Sequence, residues 1–464
     1  MSRPTHLELC HLDATDLVAN YQAGNFTPVD VVDAVIERTH RLNPTFNMFY
    51  HLEEKTARRA AEASTKRWSK KEPLGPLDGV PISIKDSIAM QGTPMRAGSR
   101  VVNTVSDYDG PPTARLRESG AVLFAKTTMP DHGMFGAGTS TAYGVTRNPW
   151  NPAFNTSGSS SGAGAALAAG LGPLSIGSDI AGSVRLPASL CGLASLKPTH
   201  GLIPHLPVVA VRDAGPMARS ARDVALAFDV LTRPDNRDYG SVPISACIKP
   251  TWSHPRELRI GIMLDMGYGD PAQAPIMAAV RHMATLLANA GAHVEEMPPL
   301  LPVDPLPALV KIAATTTLSR FHAMTSEQCA NSYGRLLAFA EQARGITALE
   351  YQAALQDIDV AKAATVTKTS AFDFVLAPVL SSVNWPAEKD SPNDDDIYRL
   401  TSFCGMFNQT GQPVACVCAG FDDRGLPIGM QIIGQRFHDY GVLKLAQLCE
   451  SLRDFKIEWP RCDG

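Results

Sequence analysis

Short apolar stretches alternate along the chain with longer segments in which apolar residues recur at helical spacing. The stretches Val80–Lys85, Val122–Ala125 and Leu174–Gly177 predict buried β-strands. In the first stretch, Ile84 and Lys85 face opposite sides of the strand, because successive side chains alternate. Strands separated by helical segments in this way predict an α/β fold.

The N-terminal region predicts helices. One helix covers Ala14–Gln22 and ends at Gly24, and the next begins after Thr27, an N-cap residue followed by a first-turn proline. A third helix covers the charged stretch Glu53–Lys71. We expect these helices to clasp the outside of the core.

The C-terminal half repeats a strand–helix–strand order. Arg259–Met263 predicts a strand, Pro275–Ala290 a helix and His293–Met297 a second strand. Residues 300–371 are predicted to be helical and carry no functional motif. This alternation of strands and helices supports an α/β fold.

Two segments between these elements are predicted to be loops. The first, Ala214–Arg219, precedes Ser220, which is the predicted N-cap of an amphipathic helix ending at Leu231. The second is the polar, acidic stretch Ser391–Ile397.

Composition and charge limit the classes of function. The chain has 464 residues, of which 44% are hydrophobic and 19% charged, so it can bury a large core. A net charge of −4 without basic patches argues against nucleic-acid or anionic-membrane partners. The nine cysteines lack the spacing of a disulfide framework or metal site, and residues 1–10 lack the apolar core of a signal peptide. We therefore expect a cytoplasmic protein that needs no cofactor.

Residues 155–199 concentrate serine, glycine and alanine, which allow backbone amides to approach a ligand closely. A dinucleotide fingerprint would need glycine at Leu167, and a Walker loop would need Gly-Lys before Ser or Thr, so both fail. The run Gly158–Gly162 matches the nucleophile elbow Gly-x-Ser-x-Gly, which would make Ser160 the nucleophile of an α/β-hydrolase esterase. However, residues 147–152 contain two prolines and two asparagines and do not predict the strand that an elbow follows.

The same region resembles the amidase signature family, whose pattern leads from a serine-glycine loop through a small-residue helix to Gly-Thr-Asp-x-Gly-Gly-Ser-x-Arg-x-Pro-Ala. The matching residues are Ser159-Ser160, Gly177–Ala188, Cys191-Gly192 and Leu196–Thr199. Further family-like segments are Gly79–Asp86, Ala125–Pro130, Gly215–Ser220 and Gly425–Gly434. The resemblance covers nearly the whole chain and implies a central mixed twisted sheet with helices on both faces.

The resemblance also implies a Ser-cisSer-Lys mechanism. Ser183 is then the nucleophile, Ser159 the proton relay and Lys85 the base, with a cis peptide between Gly158 and Ser159. A lysine without solvent loses its preference for the charged form and can act as a base near neutral pH.

The resemblance further implies an oxyanion hole made of the backbone amides of Ile180, Ala181, Gly182 and Ser183. Asp179 and Arg185 are expected to brace this loop. Met134, Phe135 and Ile180 are expected to line an apolar substrate wall. A carboxylate there would need a nearby cation, and Arg185 is expected to be committed to Asp179, so a neutral substrate is favoured.

Four residues depart from the family pattern. Ser157, Ser161 and Ala181 stand where glycine is usual, which reduces the backbone freedom of the loops. Leu186 stands where the glutamine-hydrolysing A subunit of an amidotransferase usually has glutamine. Such a glutamine-hydrolysing protein therefore remains the weaker alternative.

We thus expect a single amidase domain over residues 1–464, with an N-terminal helical clasp at 1–72 and a signature core at 73–240. Residues 241–464 complete it, and a variable substrate-pocket region lies at about 300–400. The expected reaction is hydrolysis of amide-type C–N bonds in small neutral amides, anilides or carbamates through an acyl-enzyme. No nucleic acid, membrane, metal or cofactor is expected to take part, and the sequence leaves monomer and homodimer both open.

Overall fold

The computed structural model describes residues 5–392 and 398–462. They form a mixed sheet of eleven strands, with hydrophobic clusters and helices on both faces, as the family resemblance implied. The strands are β1 Phe49–Leu52, β2 Pro81–Lys85, β3 Val122–Thr127, β4 Leu174–Asp179, β5 Ala194–Lys197, β6 Asp213–Ala218, β7 Arg259–Ile262, β8 His293–Glu296, β9 Phe374–Pro378, β10 Val414–Phe421 and β11 Pro427–Gly434.

The described helices cover both ends of the chain and the segments between the strands. They are α1 His6–His11, α2 Ala14–Ala23, α3 Pro28–Phe46, α4 Glu54–Lys70, α5 Pro111–Glu118, α6 Ser161–Ala168, α7 Arg185–Cys191, α8 Ala221–Leu231, α9 Ala274–Asn289, α10 Leu306–His322, α11 Ser326–Asn331, α12 Gly334–Glu341, α13 Ala348–Thr369, α14 Ser402–Gln409 and α15 Asp439–Leu452. None of them has the length and apolar character needed to cross a membrane.

The order of strands brings the motif segments together at one edge of the sheet. Neighbours follow the order β1-β3-β2-β4-β6-β5-β10-β11-β9-β7-β8. Strand β4 runs parallel to β2, with Ile176 opposite Ile84, and antiparallel to β6. Because the carboxyl ends of parallel strands meet at the same edge, Lys85 at the end of β2 lies beside the end of β4.

The capping signals near the N-terminus are confirmed. Helix α2 ends at Gly24, which has a left-handed backbone with φ of 72°. Helix α3 begins after Thr27, whose side chain accepts from the Asp30 amide while the Asp30 carboxylate accepts from the Thr27 amide. Ser220 likewise caps α8. These local patterns satisfy the free amides of the first turn without help from distant residues.

The loop predicted for residues 214–219 is wrong, because residues 213–218 form β6 inside the sheet. Gly215 and Pro216 have weak strand propensity, which explains the prediction. In the fold, β6 pairs with β4 on one side and β5 on the other. A Cβ on Gly215 would lie 2.4 Å from the Leu196 carbonyl oxygen, so glycine permits the close approach of β5. The predicted acidic loop at 391–397 falls mostly outside the described residues.

Candidate active site

Lys85 lies at the carboxyl end of β2, on the face opposite the hydrophobic cluster that contains Ile82 and Ile84. Its side chain is fully buried. The Nζ atom lies 2.7 Å from Ser159 Oγ, 3.2 Å from Ser178 Oγ and 3.4 Å from the Ser178 carbonyl oxygen. The nitrogen is therefore held by two hydroxyls and a carbonyl oxygen, and no carboxylate in the described part of the chain contacts it directly.

Burial lowers the pKa of Lys85 to about 7. The charges of Asp179 and Asp86 oppose this shift, and the charge of Arg212 adds to it. Desolvation penalises the ammonium form and hydroxyl partners do not compensate, so the amine is substantially neutral at physiological pH. Such a group can accept a proton from a neighbouring hydroxyl.

Ser159 reaches Lys85 from the loop that precedes α6. The peptide bond between Gly158 and Ser159 is cis, as the family resemblance implied. A Cβ on Gly158 would lie 2.5 Å from the Ala137 carbonyl oxygen, so only glycine fits there. The Ser160 amide donates to the Ser183 carbonyl oxygen at 3.1 Å, which places Ser183 beside this loop. The three predicted catalytic residues thus come from β2, the loop before α6 and the turn after β4.

The turn after β4 presents backbone amides beside Ser183. The Gly182 amide donates to Asp179 Oδ1 at 2.7 Å, so this member of the predicted oxyanion hole is already engaged. The amides of Ile180, Ala181 and Ser183 have no acceptor among the described residues. Gly182 has φ of 116°, a conformation that other residues rarely adopt. This geometry leaves three amides for an oxyanion.

Asp179 and Arg185 form a fully buried ion pair beneath the turn. Arg185 Nη2 lies 3.0 Å from Asp179 Oδ1, and Nε lies 3.1 Å from Oδ2. Asn408 Nδ2 donates to Asp179 at 2.9 Å, and Arg185 Nη1 donates to Gln431 Oε1 at 3.1 Å. Burial raises the pKa of Asp179, but Arg185 and these hydrogen bonds hold it well below its ordinary value. The pair therefore joins the start of the turn to the start of α7.

Several contributors were not predicted. Ser178 touches Lys85, although its sequence context indicated only a turn; its position directly before Asp179 was the available signal. Asn408 and Gln431 secure the buried pair from α14 and β11, far along the chain, and no local pattern marks them. They are recognised only from their hydrogen bonds.

The residues predicted to contact substrate differ in how exposed they are. Ile180 is 43% exposed in the turn beside Ser183. Phe135 is 2% exposed and packs edge-on against Tyr333, with ring centroids 5.3 Å apart. Met134 packs against the same cluster. Ile180 is therefore exposed to solvent, whereas Phe135 lies in a hydrophobic cluster and offers almost no surface to a ligand.

The alternative nucleophile Ser160 occupies a different environment. It is the fully buried N-cap of α6, and its Oγ has no hydrogen-bond partner among the described residues. A Cβ on Gly177 would lie 2.5 Å from this oxygen, so the hydroxyl points at β4. No base within the described ranges contacts Ser160, which argues against the α/β-hydrolase alternative.

The sequence model of the Amidase family matches residues 30–443. The chain belongs to the amidase family. This amidase is 32% identical to the A subunit of the glutamyl-tRNA(Gln) amidotransferase of Chloroflexus aurantiacus, over 98% of the chain and 99% of that protein. It is 29% identical to an acylamidase of Rhodococcus erythropolis, over 98% of each.

A solved structure shares the whole architecture. A bacterial aryl acylamidase of the amidase signature family superposes with a TM-score of 0.86 at 27% identity, over 96% of each chain. This amidase is thus a hydrolase of amide C–N bonds built on the amidase signature fold.

Proposed function

We propose that this amidase cleaves its substrate with Ser183 as nucleophile, Ser159 as proton relay and Lys85 as base. The observation that carries the proposal is the 2.7 Å contact between buried Lys85 Nζ and Ser159 Oγ. Lys85 has lost much of its preference for the charged form, so it can take the proton that Ser159 passes on.

The steps follow from these positions. Ser183 Oγ attacks the carbonyl carbon and passes its proton to Ser159, while the Ser159 proton moves to Lys85 Nζ. The free amides of Ile180, Ala181 and Ser183 stabilise the tetrahedral oxyanion. Lys85 then returns its proton to Ser159, which protonates the leaving nitrogen. The C–N bond breaks, the amine departs, and Ser183 keeps the acyl group as an ester. Water attacks this ester through the same relay and releases the acid.

We propose small amides and anilides as substrates, with carbamates cleaved at their C–N bond by the same steps. The similarity to an acylamidase and an aryl acylamidase supports the first two classes. Ile180, exposed beside the nucleophile, offers an apolar contact for an acyl or aryl group. The nine cysteines lack the spacing of a disulfide framework, which supports the proposed cytoplasmic location.

Glutamine hydrolysis within an amidotransferase complex is the second candidate, because relatives of that kind cover the chain at up to 32% identity. Leu186, where such relatives usually have glutamine, is 1% exposed and packs in a hydrophobic cluster. This second candidate would require a copurifying partner for turnover. The hydrolase proposal requires none.

The test measures turnover of primary amides, anilides and carbamates by the purified chain and by two serine variants. Ser183→Ala lowers kcat by about ten-thousand-fold or more, because the attacking oxygen is lost. The matched variant Ser160→Ala keeps kcat within about tenfold, since Ser160 Oγ contacts no reacting group. Labelling of Ser160 instead of Ser183 by an active-serine probe would overturn the assignment. Added EDTA is expected to leave the rates unchanged.

A further inference from the structure

Two guanidinium groups near the proposed catalytic residues lack an acidic partner within residues 5–392 and 398–462. Arg212 Nε and Arg320 Nη1 are buried without a hydrogen-bond partner. Arg212 Nη2 donates to the Pro207 carbonyl oxygen, and neither arginine forms an ion pair with a described carboxylate. Buried Arg185, by contrast, is fully engaged by Asp179. A buried cation without a counter-ion is unfavourable unless a ligand supplies one.

The sheet places Arg212 beside the oxyanion turn. Asp179 of β4 pairs with Asp213 of β6 in an antiparallel register, so the next residues outward, Ile180 and Arg212, face each other. Asn408 Nδ2 reinforces this proximity, because it lies 3.2 Å from the Asp179 carbonyl oxygen and 3.3 Å from that of Val211. Arg212 therefore borders the same edge of the sheet as Lys85.

Arg320 lies in the last turn of α10. Burial lowers the pKa of Arg212 to about 10, and the charge of Arg320 contributes to the same shift. Burial and the charge of Arg320 also lower the pKa of His132 to about 4. His132 precedes Gly133, where a Cβ would lie 3.3 Å from Ser159 Oγ. Arg320 therefore acts electrostatically on Arg212 and on the segment that contacts the proposed relay serine.

A histidine completes the polar surroundings. His205 is 4% exposed, and its Nε2 has no partner among the described residues. Burial, followed by the charges of Arg212 and Lys85, holds the pKa of His205 well below its ordinary value. The ring is therefore neutral, and it offers a nitrogen for hydrogen bonding without adding a third positive charge.

We propose that Arg212 and Arg320 bind a carboxylate of the substrate, so that preferred substrates are amides with a free carboxylate a few bonds from the scissile C–N bond. A guanidinium fork matches the two oxygens of a carboxylate. Arg212 already gives one nitrogen to Pro207, so the remaining donors suit a monoanion better than a phosphate dianion. The inference rests on the proposed amide hydrolysis.

The two arginines remove the reason given above for expecting a neutral substrate. That expectation considered Arg185 as the nearby cation, and Arg185 pairs with Asp179. Arg212 and Arg320 supply cations that no sequence motif marks. Glutamine fits less well than a simple monoamide acid, because its ammonium group would lie close to two arginines.

The test compares succinamate and glutaramate with their methyl esters, and 4-acetamidobenzoate with acetanilide. The two sets carry the carboxylate on the acyl side and on the leaving-group side, respectively. We expect the acid of one set to exceed its neutral partner in kcat/KM by about tenfold or more, mainly through a lower KM. Arg320→Gln and Arg212→Gln should each reduce this acid-to-neutral ratio by about tenfold or more.

Arg344→Gln is the control, because Arg344 is an exposed arginine that pairs with Glu341 and its removal changes the net charge equally. It should leave the acid-to-neutral ratio unchanged. Succinate inhibition of the wild-type enzyme gives a second readout that does not depend on the variants folding. Hydrolysis of neutral amides with no acid preference and no succinate inhibition would overturn the inference but keep the proposed function. Absence of hydrolysis of every amide would overturn the proposed function instead.

Discussion

Lys85 Nζ and Ser159 Oγ lie 2.7 Å apart in a region closed to bulk solvent. The charge state of this amine decides whether the serine can lose a proton. Because burial is the main cause of its lowered pKa, a change in protonation should appear both in the rate and in the stability of the fold.

The rate of amide hydrolysis is expected to rise with pH through about 7. Below that value Lys85 is protonated and cannot act as a base, and above it the neutral amine can. Lys85→Met should abolish this turnover. A kcat/KM profile for a neutral anilide between about pH 5 and 9 measures the dependence, and a flat profile would contradict the role of Lys85.

Lys85→Met should also change how the stability of the fold depends on pH, and the sign of this change follows from the lowered pKa. Between about pH 7 and the ordinary lysine pKa of about 10.4, the unfolded chain binds a proton that the folded chain does not. Stability of the wild type relative to the variant therefore rises with pH over this range. Urea denaturation at about pH 7 and about pH 9.5 measures the free energy of unfolding of both proteins, and the variant's excess stability over the wild type should be smaller at the higher pH. An excess that grows with pH would mean that Lys85 is charged in the fold.

Asp179→Asn is expected to destabilise the fold by about 3–5 kcal/mol, because it leaves Arg185 buried without a counter-ion. The control is Glu296→Gln, which breaks a pair with Arg281 whose side chains are 52% and 51% exposed. That change should cost no more than about 1 kcal/mol. Equal urea midpoints for the two variants would show that the buried pair does not hold the turn.

Gly182→Ala should lower kcat by about a hundredfold or more, since the turn that presents the oxyanion amides must move. Its added Cβ would lie 2.9 Å from both Cys404 Cβ and Leu186 Cγ, at a φ of 116°. Gly425→Ala is the matched control, because its φ of 75° is also positive but no atom lies within 4 Å. The control should lose about 1–2 kcal/mol of stability and keep its kcat. Similar kcat values for both variants would argue against the proposed oxyanion hole.

Variants of Ser157 test how serine affects stability at a position where the family usually has glycine. It has a φ of 58°, and its Oγ donates to the Gly136 carbonyl oxygen at 2.8 Å. Ser157→Gly removes both the strain and the hydrogen bond, so its stability should stay within about 1 kcal/mol of wild type. Ser157→Ala loses the bond and keeps the strain, and should be about 1 kcal/mol less stable than the glycine variant. Thermal unfolding of the three proteins decides this, and an alanine variant as stable as the glycine variant would contradict it.

The features that depend on neighbours along the chain could be predicted from the sequence. Thr27 and Ser220 mark helix starts because each side chain bonds an amide three residues on. The alternation of Ile84 and Lys85 separates core from site because successive strand residues face opposite sides. The family resemblance implied that Ser159 and Ser183 belong to the site, and their catalytic roles stay predictions.

The features that join distant segments could be recognised only in the folded protein. Residues 213–218 became a strand because two neighbours supply hydrogen bonds that outweigh the low propensity of Gly215 and Pro216. Asn408 reached Asp179 from 229 residues away. The antiparallel pairing of β4 and β6 brought Arg212 beside the turn after β4. No local pattern encodes such encounters, because they depend on how the whole sheet and its helices pack.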